Sequence, residues 1–428
     1  MSRLEISRHR FLLASLPIVS LSLVAACSTD ATPKTKPAAA APVQVKQTIV
    51  RAPPPEEPLP PMTAAPTFST VVAGSQDSCG ITGSGNLYCW GNNDLGQLGD
   101  GGSAERTLPS EVGGGLEWRA VSVGGSHSCG ITTEGAAYCW GSSIAGQLGS
   151  DTLGTSPTPY RIPQAPSFVT IASGNDHSCA ITTDGKMFCW GENLHGELGA
   201  SVFSKFSPVI QVAPQLTWAR VSAGPHSTCG ITIDGKLYCW GLDDEGGIGV
   251  EAGDACQLDG EPAHCALPLR QPADSLRFTS VAAGVTHSCA ITGDGVLYCW
   301  GANDRGQLGS GFRDPLGPAR VVTQEHWIAV SAGRGFTCAI TTGGVAECWG
   351  ADDDGQLAGR AADATVPAPV AGSVRFTAIS SGAAHTCALS TDRLVYCWGA
   401  NGSGQLGTGA HKRSFEPEKL MFAAESHP

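Results

Sequence analysis

The sequence predicts an all-β protein, a seven-bladed β-propeller built from antiparallel blades of about four strands each. Three observations predict this fold. A unit of about fifty residues occurs seven times, every unit holds two cysteines ten positions apart, and Trp-Gly directly follows each second cysteine. Copies at a fixed spacing of this size are typical of propellers and other repeat architectures, and 428 residues are enough for one large ring.

Two further positions recur in every unit at a fixed distance from its first cysteine. An aromatic residue lies eleven positions before that cysteine: Phe68, Trp118, Phe168, Trp218, Phe278, Trp327 and Phe376. A glycine lies five positions before it: Gly74, Gly124, Gly174, Gly224, Gly284, Gly333 and Gly382. Successive first cysteines are separated by 50, 50, 50, 60, 49 and 49 residues, so the fourth unit carries an insertion.

Each cysteine pair lies in a predicted β-hairpin. In the third unit, "HSCAITTDGKMFCWG" (177–191) places the turn residues Asp184 and Gly185 between two runs of apolar and β-branched residues. This alignment sets Cys179 opposite Cys189, close enough for a disulfide between antiparallel strands. The predicted hairpin disulfides are Cys79–Cys89, Cys129–Cys139, Cys179–Cys189, Cys229–Cys239, Cys289–Cys299, Cys338–Cys348 and Cys387–Cys397.

The other strands of a blade are predicted on either side of the hairpin. The aromatic-led segment before it is one strand, and a variable proline-containing stretch after the Trp-Gly turn is another. The chain enters the repeats at Phe68 without a preceding strand of the proline-containing type, and it ends in "SFEPEKLMF". We therefore expect residues 416–422 to join the first blade and close the ring.

Units of the type "HSCAITTDGKMFCWG" followed by "GELG" or "GQLG" resemble the regulator of chromosome condensation repeat family. The resemblance covers residues 67–428 and implies a seven-bladed propeller. It also implies that the histidines two positions before the first cysteine, His127, His177, His287 and His385, belong to the scaffold and hydrogen-bond the adjacent turn. The alternative, a metal site at one end of the ring, is weakened because Asp77, Ser227 and Phe336 interrupt the series.

The N-terminal segment predicts an exported lipoprotein. Residues 1–26 combine a basic start with a short apolar stretch, and "VAAC" (24–27) resembles a bacterial lipobox, which implies lipidation of Cys27. The alternative is ordinary signal cleavage that leaves Cys27 as a spare thiol. Ser28 follows the cysteine, which favours the outer over the inner membrane. Residues 27–66 are rich in Pro and Ala and predict a flexible tether.

The fourth unit contains the best candidate binding site. Its insertion, "EAGDACQLDGEPAHCALPLRQ" (251–271), holds a further predicted disulfide, Cys256–Cys265. A stapled loop that protrudes from the ring loses less entropy on binding. The alternative is a tolerated insertion without a function. The candidate binding residues are Asp254, Gln257, Asp259, Glu261 and His264.

No catalytic residue, cofactor site or metal site is predicted. The acidic stretches "GLDDEGG" (241–247) and "ADDDGQ" (351–356) lack the ligand spacing of a calcium loop and are interpreted as solvated turns. No nucleotide-binding, serine-hydrolase or zinc-protease motif occurs, and no non-repeated cluster of Asp, Glu, His or Arg is evident.

These features predict a monomeric interaction module of the bacterial cell envelope, without catalysis, that binds an unknown protein or cell-wall component and touches the membrane only through its lipid anchor. A net charge of −12 disfavours nucleic acid as a partner. Export, acidity and disulfides also separate the chain from the nuclear GTPase that a well-known relative acts on. The alternative hypotheses are a propeller enzyme, a lyase or hydrolase acting on polysaccharide, and a purely structural envelope component.

Overall fold

The computed structural model describes residues 66–151, 153–243, 245–250, 254–258, 261–311, 317–359 and 362–422, with only the backbone described for residues 254–258, 261–263 and 268. The predicted signal segment, Cys27 and the predicted tether up to residue 65 lie outside the described residues. Among these described residues, none forms a helix that could span a lipid bilayer.

The described residues form seven antiparallel β-sheets arranged as a ring, which confirms the predicted propeller. Each sheet is one blade, and the blades are numbered 1 to 7 in chain order. The strand nearest the central channel is the first of each blade: β1 (Phe68–Ala73), β5 (Trp118–Val123), β9 (Phe168–Ser173), β13 (Trp218–Ala223), β18 (Phe278–Ala283), β22 (Trp327–Ala332) and β26 (Phe376–Ser381).

The second and third strands of each blade form the predicted hairpin. The second strands are β2 (Asp77–Thr82), β6 (His127–Thr132), β10 (His177–Thr182), β14 (Ser227–Thr232), β19 (His287–Thr292), β23 (Phe336–Thr341) and β27 (His385–Ser390). The third strands are β3 (Leu87–Gly91), β7 (Ala137–Ser142), β11 (Met187–Asn193), β15 (Leu237–Leu242), β20 (Leu297–Gly301), β24 (Ala346–Gly350) and β28 (Val395–Gly399).

The fourth strand forms the outer edge of most blades. The fourth strands are β4 (Arg106–Glu111), β8 (Thr155–Arg161), β12 (Ser204–Val212), β17 (Glu261–Arg270), β21 (Ala319–Arg320), β25 (Ala364–Pro369) and β29 (Ser414–Lys419). Blade 4 alone among the described sheets has a fifth strand, β16 (Asp254–Leu258), which pairs with β17.

The hairpins have the predicted register. Cys179 lies opposite Cys189 and Ala180 opposite Phe188. The cysteine Cα atoms are 4.1 Å apart, and the two sulfur atoms form a disulfide. All seven predicted hairpin disulfides are present in the structure, and all fourteen of their cysteines are buried.

The small residue after the first cysteine is required by a contact within the blade. A Cβ atom added to Gly130 would lie 2.6 Å from Cζ3 of Trp118, and one added to Gly80 would lie 2.8 Å from Cδ1 of Phe68. These aromatic side chains lie on the first strands of the same blades. The sequence pattern therefore reflects packing against the first strand as well as the cross-strand pairing with an aromatic.

Each Trp that follows a second cysteine connects two blades. The Trp190 side chain is fully buried, and its indole N–H donates a 2.9 Å hydrogen bond to the backbone carbonyl of Gln147 in blade 2. The same bond recurs around the ring: Trp90 to Gln405, Trp140 to Gln97, Trp240 to Glu197, Trp300 to Gly247, Trp349 to Gln307 and Trp398 to Gln356.

The predicted pairing of residues 416–422 with the first blade is wrong. Strand β29 pairs with β28 and completes blade 7, with Cys397 opposite Glu418. Blade 1 has no vacant edge, because its own repeat supplies β4 as the outer strand. Every repeat therefore folds into one complete blade.

Blades 7 and 1 close the ring through side-chain packing. They also make the same kinds of hydrogen bond that join all the other neighbouring blades. The backbone N–H of Ala383 donates to the carbonyl of Gly74 at 3.2 Å, and the indole of Trp90 reaches Gln405 at 2.8 Å. The C-terminal segment adds Phe422, whose ring centroid lies 6.2 Å from that of Phe68. The C-terminal strand thus helps to close the ring without pairing into blade 1.

Candidate functional site

Two sets of loops emerge together on one face of the ring, which we call the loop face. They are the turns between first and second strands and the loops between third and fourth strands, joined in blade 1 by a hydrogen bond from the Asn92 N–H to the Gln76 carbonyl. The turns of all seven blades surround an open central cavity of about 160 Å³. Its lining consists of Gly, Ala, Ser, Val, Pro and Asn residues, so this lining offers no general acid or base.

The predicted scaffold histidines join neighbouring blades on the loop face. The Nε2 atom of His287 lies 2.8 Å from the hydroxyl of Thr337 in blade 6, and that hydroxyl donates to the Gln307 carbonyl. The Nε2–H group of His287 is therefore the donor. Equivalent bonds join His127 to Ser178, His177 to Thr228 and His385 to Ser78. The bond reaches the next blade rather than the adjacent turn, which corrects the expected partner while keeping the structural role.

Burial lowers the pKa of these histidines, to about 3 for His127 and to about 4 for His177, His287 and His385. An unfolded chain binds a proton at each histidine below about pH 6.5, whereas the folded chain does not. The stability contributed by each neutral histidine is therefore present above pH 6.5 and is lost as the pH falls from about 6.5 towards 4.

We expect His287→Phe to remove part of this acid sensitivity, because Phe336 occupies the equivalent position in blade 6 and the Thr337 hydroxyl keeps its carbonyl acceptor. Between pH 7 and pH 5, the parent should lose about 2 kcal/mol more unfolding free energy than the variant. Urea denaturation at the two pH values measures the difference. Equal losses would show that His287 is not buried in its neutral form.

The third-to-fourth-strand loops share a glutamine whose backbone carbonyl accepts the Trp indole N–H of the next blade. In blade 2, Gln147 accepts a hydrogen bond from the Ala145 N–H at 2.9 Å through its side-chain oxygen. Its side-chain amide donates to the Asp176 carboxylate of blade 3 at 2.8 Å. Glutamine occupies this position in five of the seven units: Gln97, Gln147, Gln307, Gln356 and Gln405.

Blade 3 departs from this pattern and brings four ionisable residues together. Glu197 replaces the glutamine, and its Oε2 accepts the His195 backbone N–H at 2.9 Å. Its Oε1 lies 2.6 Å from Nδ1 of His195 and 3.9 Å from Nδ1 of His226, which belongs to blade 4. Glu192 completes the group, and the four ligand-type atoms lie within 4.8 Å of one another. We call these residues the blade 3–4 cluster.

The cluster concentrates negative charge in a largely buried place. Burial alone would raise the pKa of the Glu197 carboxyl, but the neighbouring His195 and His226 imidazoles lower it to about 2. The pKa of Glu192 is raised, first by its own burial and then by Glu197 and Asp176. Glu197 is therefore a carboxylate at physiological pH.

The expectation that no non-repeated ionisable cluster exists is wrong. The cluster was missed because His226 lies 29 positions after Glu197 in the sequence and reaches it only across the blade junction. An alignment of the seven repeat units with one another would have shown both unusual residues. Glu197 replaces a glutamine present in five units, and His226 precedes the position where the scaffold histidines lie.

Comparison with known families agrees with the repeat pattern and the fold. One model of the regulator of chromosome condensation (RCC1) repeat matches residues 68–97, 118–147, 168–197, 218–246, 278–307 and 376–405. A second model of this repeat matches residues 84–131, 134–181, 234–291, 294–340 and 394–427, which is more than half of the chain. The chain belongs to the RCC1 repeat family.

Several solved structures share this fold at low sequence identity. Human WBSCR16 aligns with a TM-score of 0.69 and 18% identity, covering 79% of this chain and 94% of that one. Prp20p from Saccharomyces cerevisiae, described with its binding to Gsp1p and histones, aligns with a TM-score of 0.68 and 20% identity over 84% and 88% of the two chains. The ectodomain of the Arabidopsis thaliana receptor kinase ACR4 aligns with a TM-score of 0.50 and 18% identity over 83% and 99%.

The insertion forms an added hairpin on the outer edge of blade 4 of this RCC1-repeat ring. Strand β17 supplies the fourth strand, with Ala266 opposite Gly241, and β16 pairs with its first half. His264 is exposed, whereas Cys265 is buried and disulfide-bonded. The side chains of Asp254, Cys256, Gln257 and Glu261, and all of Asp259, lie outside the described part, so the Cys256–Cys265 pairing stays a prediction.

The loop that carries His195 and Glu197 contacts the fourth strand of blade 4. Gly196, between these two residues, adopts a φ of 84°, and an added Cβ atom would lie 2.7 Å from Cδ1 of Leu267 in the part of β17 that pairs with β15. The equivalent contact occurs at a regular junction, between Gly146 and Phe206 of β12, so it belongs to the repeat scaffold.

The acidic turns have structural roles that the sequence interpretation did not foresee. Asp352 is buried, not solvated, and its side-chain Oδ1 accepts the Leu357 N–H at 3.0 Å. Asp243 makes the same bond to Ile248 at 2.8 Å. Asp353 is exposed and pairs with Arg305 at 2.9 Å. Asp244 lies outside the described residues.

Proposed function

We propose that this protein is an exported binding module that recognises a protein or a cell-wall component through the added hairpin on blade 4. The observation that carries the proposal is that this hairpin adds a fifth strand to one sheet of an otherwise regular ring of seven described sheets. An RCC1-repeat propeller is a protein-interaction fold, and loops on a rigid scaffold are common recognition sites.

The proposal includes a cellular location, the bacterial envelope. Seven buried disulfides indicate an oxidising, exported environment. The "VAAC" segment supports lipidation of Cys27, with the outer membrane as the favoured location. The Pro/Ala-rich segment 27–66 would then hold the ring away from the membrane surface.

The proposed activity is binding without catalysis. The enzymatic alternative, a lyase or hydrolase acting on polysaccharide, places chemistry at the central channel. The residues that line the channel mouth carry neither carboxylates nor imidazoles, which makes that location unsuited to acid–base chemistry.

Removal of the added hairpin tests the binding region. Residues 254–263 are replaced by a Gly-Ser turn and Cys265 is changed to Ser, while residues 266–270 stay in place because they pair with β15. Immobilised parent protein should retain a discrete component from an envelope extract, and the deletion variant should retain at least about tenfold less of it, a loss of about 1.4 kcal/mol.

The matched control changes a turn on the opposite face. Asp184→Ala with Lys186→Ala removes an exposed ion pair of 2.7 Å between the second and third strands of blade 3. This variant should retain as much of the component as the parent. Equal retention by all three proteins, or no retention by the parent, would contradict the proposal.

A further inference from the structure

We propose that Glu192, His195, Glu197 and His226 form a binding site for one divalent transition-metal ion, with Zn²⁺ as the ion that best matches their donor atoms. The site is independent of the partner-binding proposal, because it rests on the geometry of the cluster alone. It lies at the junction of blades 3 and 4, between β11 and the turn before β14.

The donor set selects the class of metal. The four residues offer two imidazole nitrogens and two carboxylate oxygens. Imidazole is a preferred ligand for zinc, copper, nickel and iron, whereas calcium and magnesium prefer sites made only of oxygen. Zinc accepts mixed sites of His and Glu with four ligands or with three ligands and a water molecule.

The distances suit a four-coordinate ion after small side-chain movements. Ligand atoms around tetrahedral zinc are roughly 3.3 Å apart, given metal–ligand distances of about 2.0–2.2 Å. Oε1 of Glu197 lies 2.6 Å from Nδ1 of His195 and 3.9 Å from Nδ1 of His226, so the two separations lie on either side of this value. All four atoms lie within 4.8 Å of one another.

The scaffold fixes the central ligand in place. The backbone carbonyl of Glu197 accepts hydrogen bonds from the Thr228 hydroxyl at 2.8 Å and from the Trp240 indole at 2.7 Å. Its Oε2 accepts the His195 N–H, which directs Oε1 toward the two imidazoles. Supporting hydrogen bonds of this kind orient the ligands of metal sites.

The surroundings of His226 provide a second observation that favours a metal ion. Its Nδ1 atom is buried without a hydrogen-bond partner and lies 3.9 Å from Oε1 of Glu197, so an ion between the two atoms would satisfy both. Nδ1 of the scaffold histidines His127, His287 and His385 also lacks a partner, so the feature specific to His226 is its position beside the Glu197 carboxylate. The equivalent junction of blades 2 and 3 needs no ion, because Gln147 donates directly to Asp176 at 2.8 Å.

The site is accessible from solvent. The His226 side chain is 30% exposed, whereas that of Glu197 is 1% exposed. His226 also lines a depression of about 240 Å³ on the loop face, between blades 4 and 5. An ion can therefore reach the cluster from this side without an opening of the ring.

Calorimetric titration of the chelator-treated full chain with ZnCl₂ tests the site. We expect uptake of one equivalent, with a rise in melting temperature that saturates at the same ratio. The double variant Glu197→Gln/His226→Ser should bind at least about a hundredfold more weakly, since loss of supporting groups alone typically costs 10–100-fold. Both new residues occur at equivalent junctions, as Gln147 and Ser126, so the variant should keep the fold.

His411→Ala is the matched control. His411 is exposed and lies 3.4 Å from Glu105, but among the described residues it does not belong to a group of three or more potential metal ligands. This variant should bind zinc like the parent. Absence of stoichiometric uptake by the parent, or equal uptake by the double variant, would overturn the proposal. If the double variant does not fold, the single variant Glu197→Gln is used, with the same two outcomes.

Discussion

Refolding of the protein in the presence of excess reductant is expected to yield no native propeller. Each hairpin disulfide closes a loop of about eleven residues and stabilises the fold by roughly 2–3 kcal/mol in the chain-entropy treatment. Seven such bonds together contribute about 14–21 kcal/mol, which is as large as or larger than the total of about 5–15 kcal/mol by which native proteins are typically stable. Near-ultraviolet circular dichroism measures the recovery of packed tryptophans.

The test starts from denatured chain, because the cysteines are fully buried in the native protein and a reductant cannot reach them there. The control is the same refolding with a glutathione redox pair, which should restore the native spectrum. A reduced chain that regained this spectrum and the parental denaturation midpoint would show that packing alone holds the ring.

Trp190→Ala is expected to destabilise the protein more than the loss of the disulfide beside it. A fully buried Trp typically contributes roughly 3–5 kcal/mol over Ala, and Trp190 additionally donates a hydrogen bond to blade 2. The double variant Cys179→Ser/Cys189→Ser should cost roughly 2–3 kcal/mol. Chemical denaturation of the three proteins, followed by circular dichroism, gives the two differences.

Ile144→Ala is the control for this comparison, because its side chain is 69% exposed and its truncation should change stability by less than about 0.5 kcal/mol. The reverse order of the two losses would contradict the assignment of Trp190 as the main contact between blades 2 and 3.

The hairpins could be predicted because several requirements meet at the same positions. The spacing of Cys179 and Cys189, the turn at Asp184-Gly185 and the small residue Ala180 all demand one register, and the structure adopts it. Seven copies then repeat that solution at a nearly constant interval. A register shift of one residue would separate every cysteine pair and expose the buried face.

The outer strands were harder to predict because their sequences vary and few of their side chains are buried. Strand β4 reads "RTLPSE" and has no fully buried residue, so it lacks the hydrophobic pattern typical of a strand. The absence of a proline-containing strand before Phe68 predicts that the C-terminal segment joins blade 1, which is wrong because β29 pairs with β28. Hydrogen bonding of the third strand, rather than a hydrophobic pattern, determines where these edges lie.

The candidate site needed three-dimensional information because its residues belong to two blades. Glu197 and His195 lie on one loop and can be noticed in the sequence, but the contact with His226 depends on how blade 3 packs on blade 4. The length and cysteines of the insertion predict a protruding loop, but not the pairing of β16 with β17 that the structure shows.

The most direct test of whether this protein is an exported, disulfide-stabilised ring is mass spectrometry of its non-reduced peptides. The protein for this measurement is isolated from its native cell envelope. We predict seven linkages between cysteines ten positions apart, from Cys79–Cys89 to Cys387–Cys397. Alkylation of these cysteines before reduction, or linkages between different blades, would contradict this structure and the proposed location.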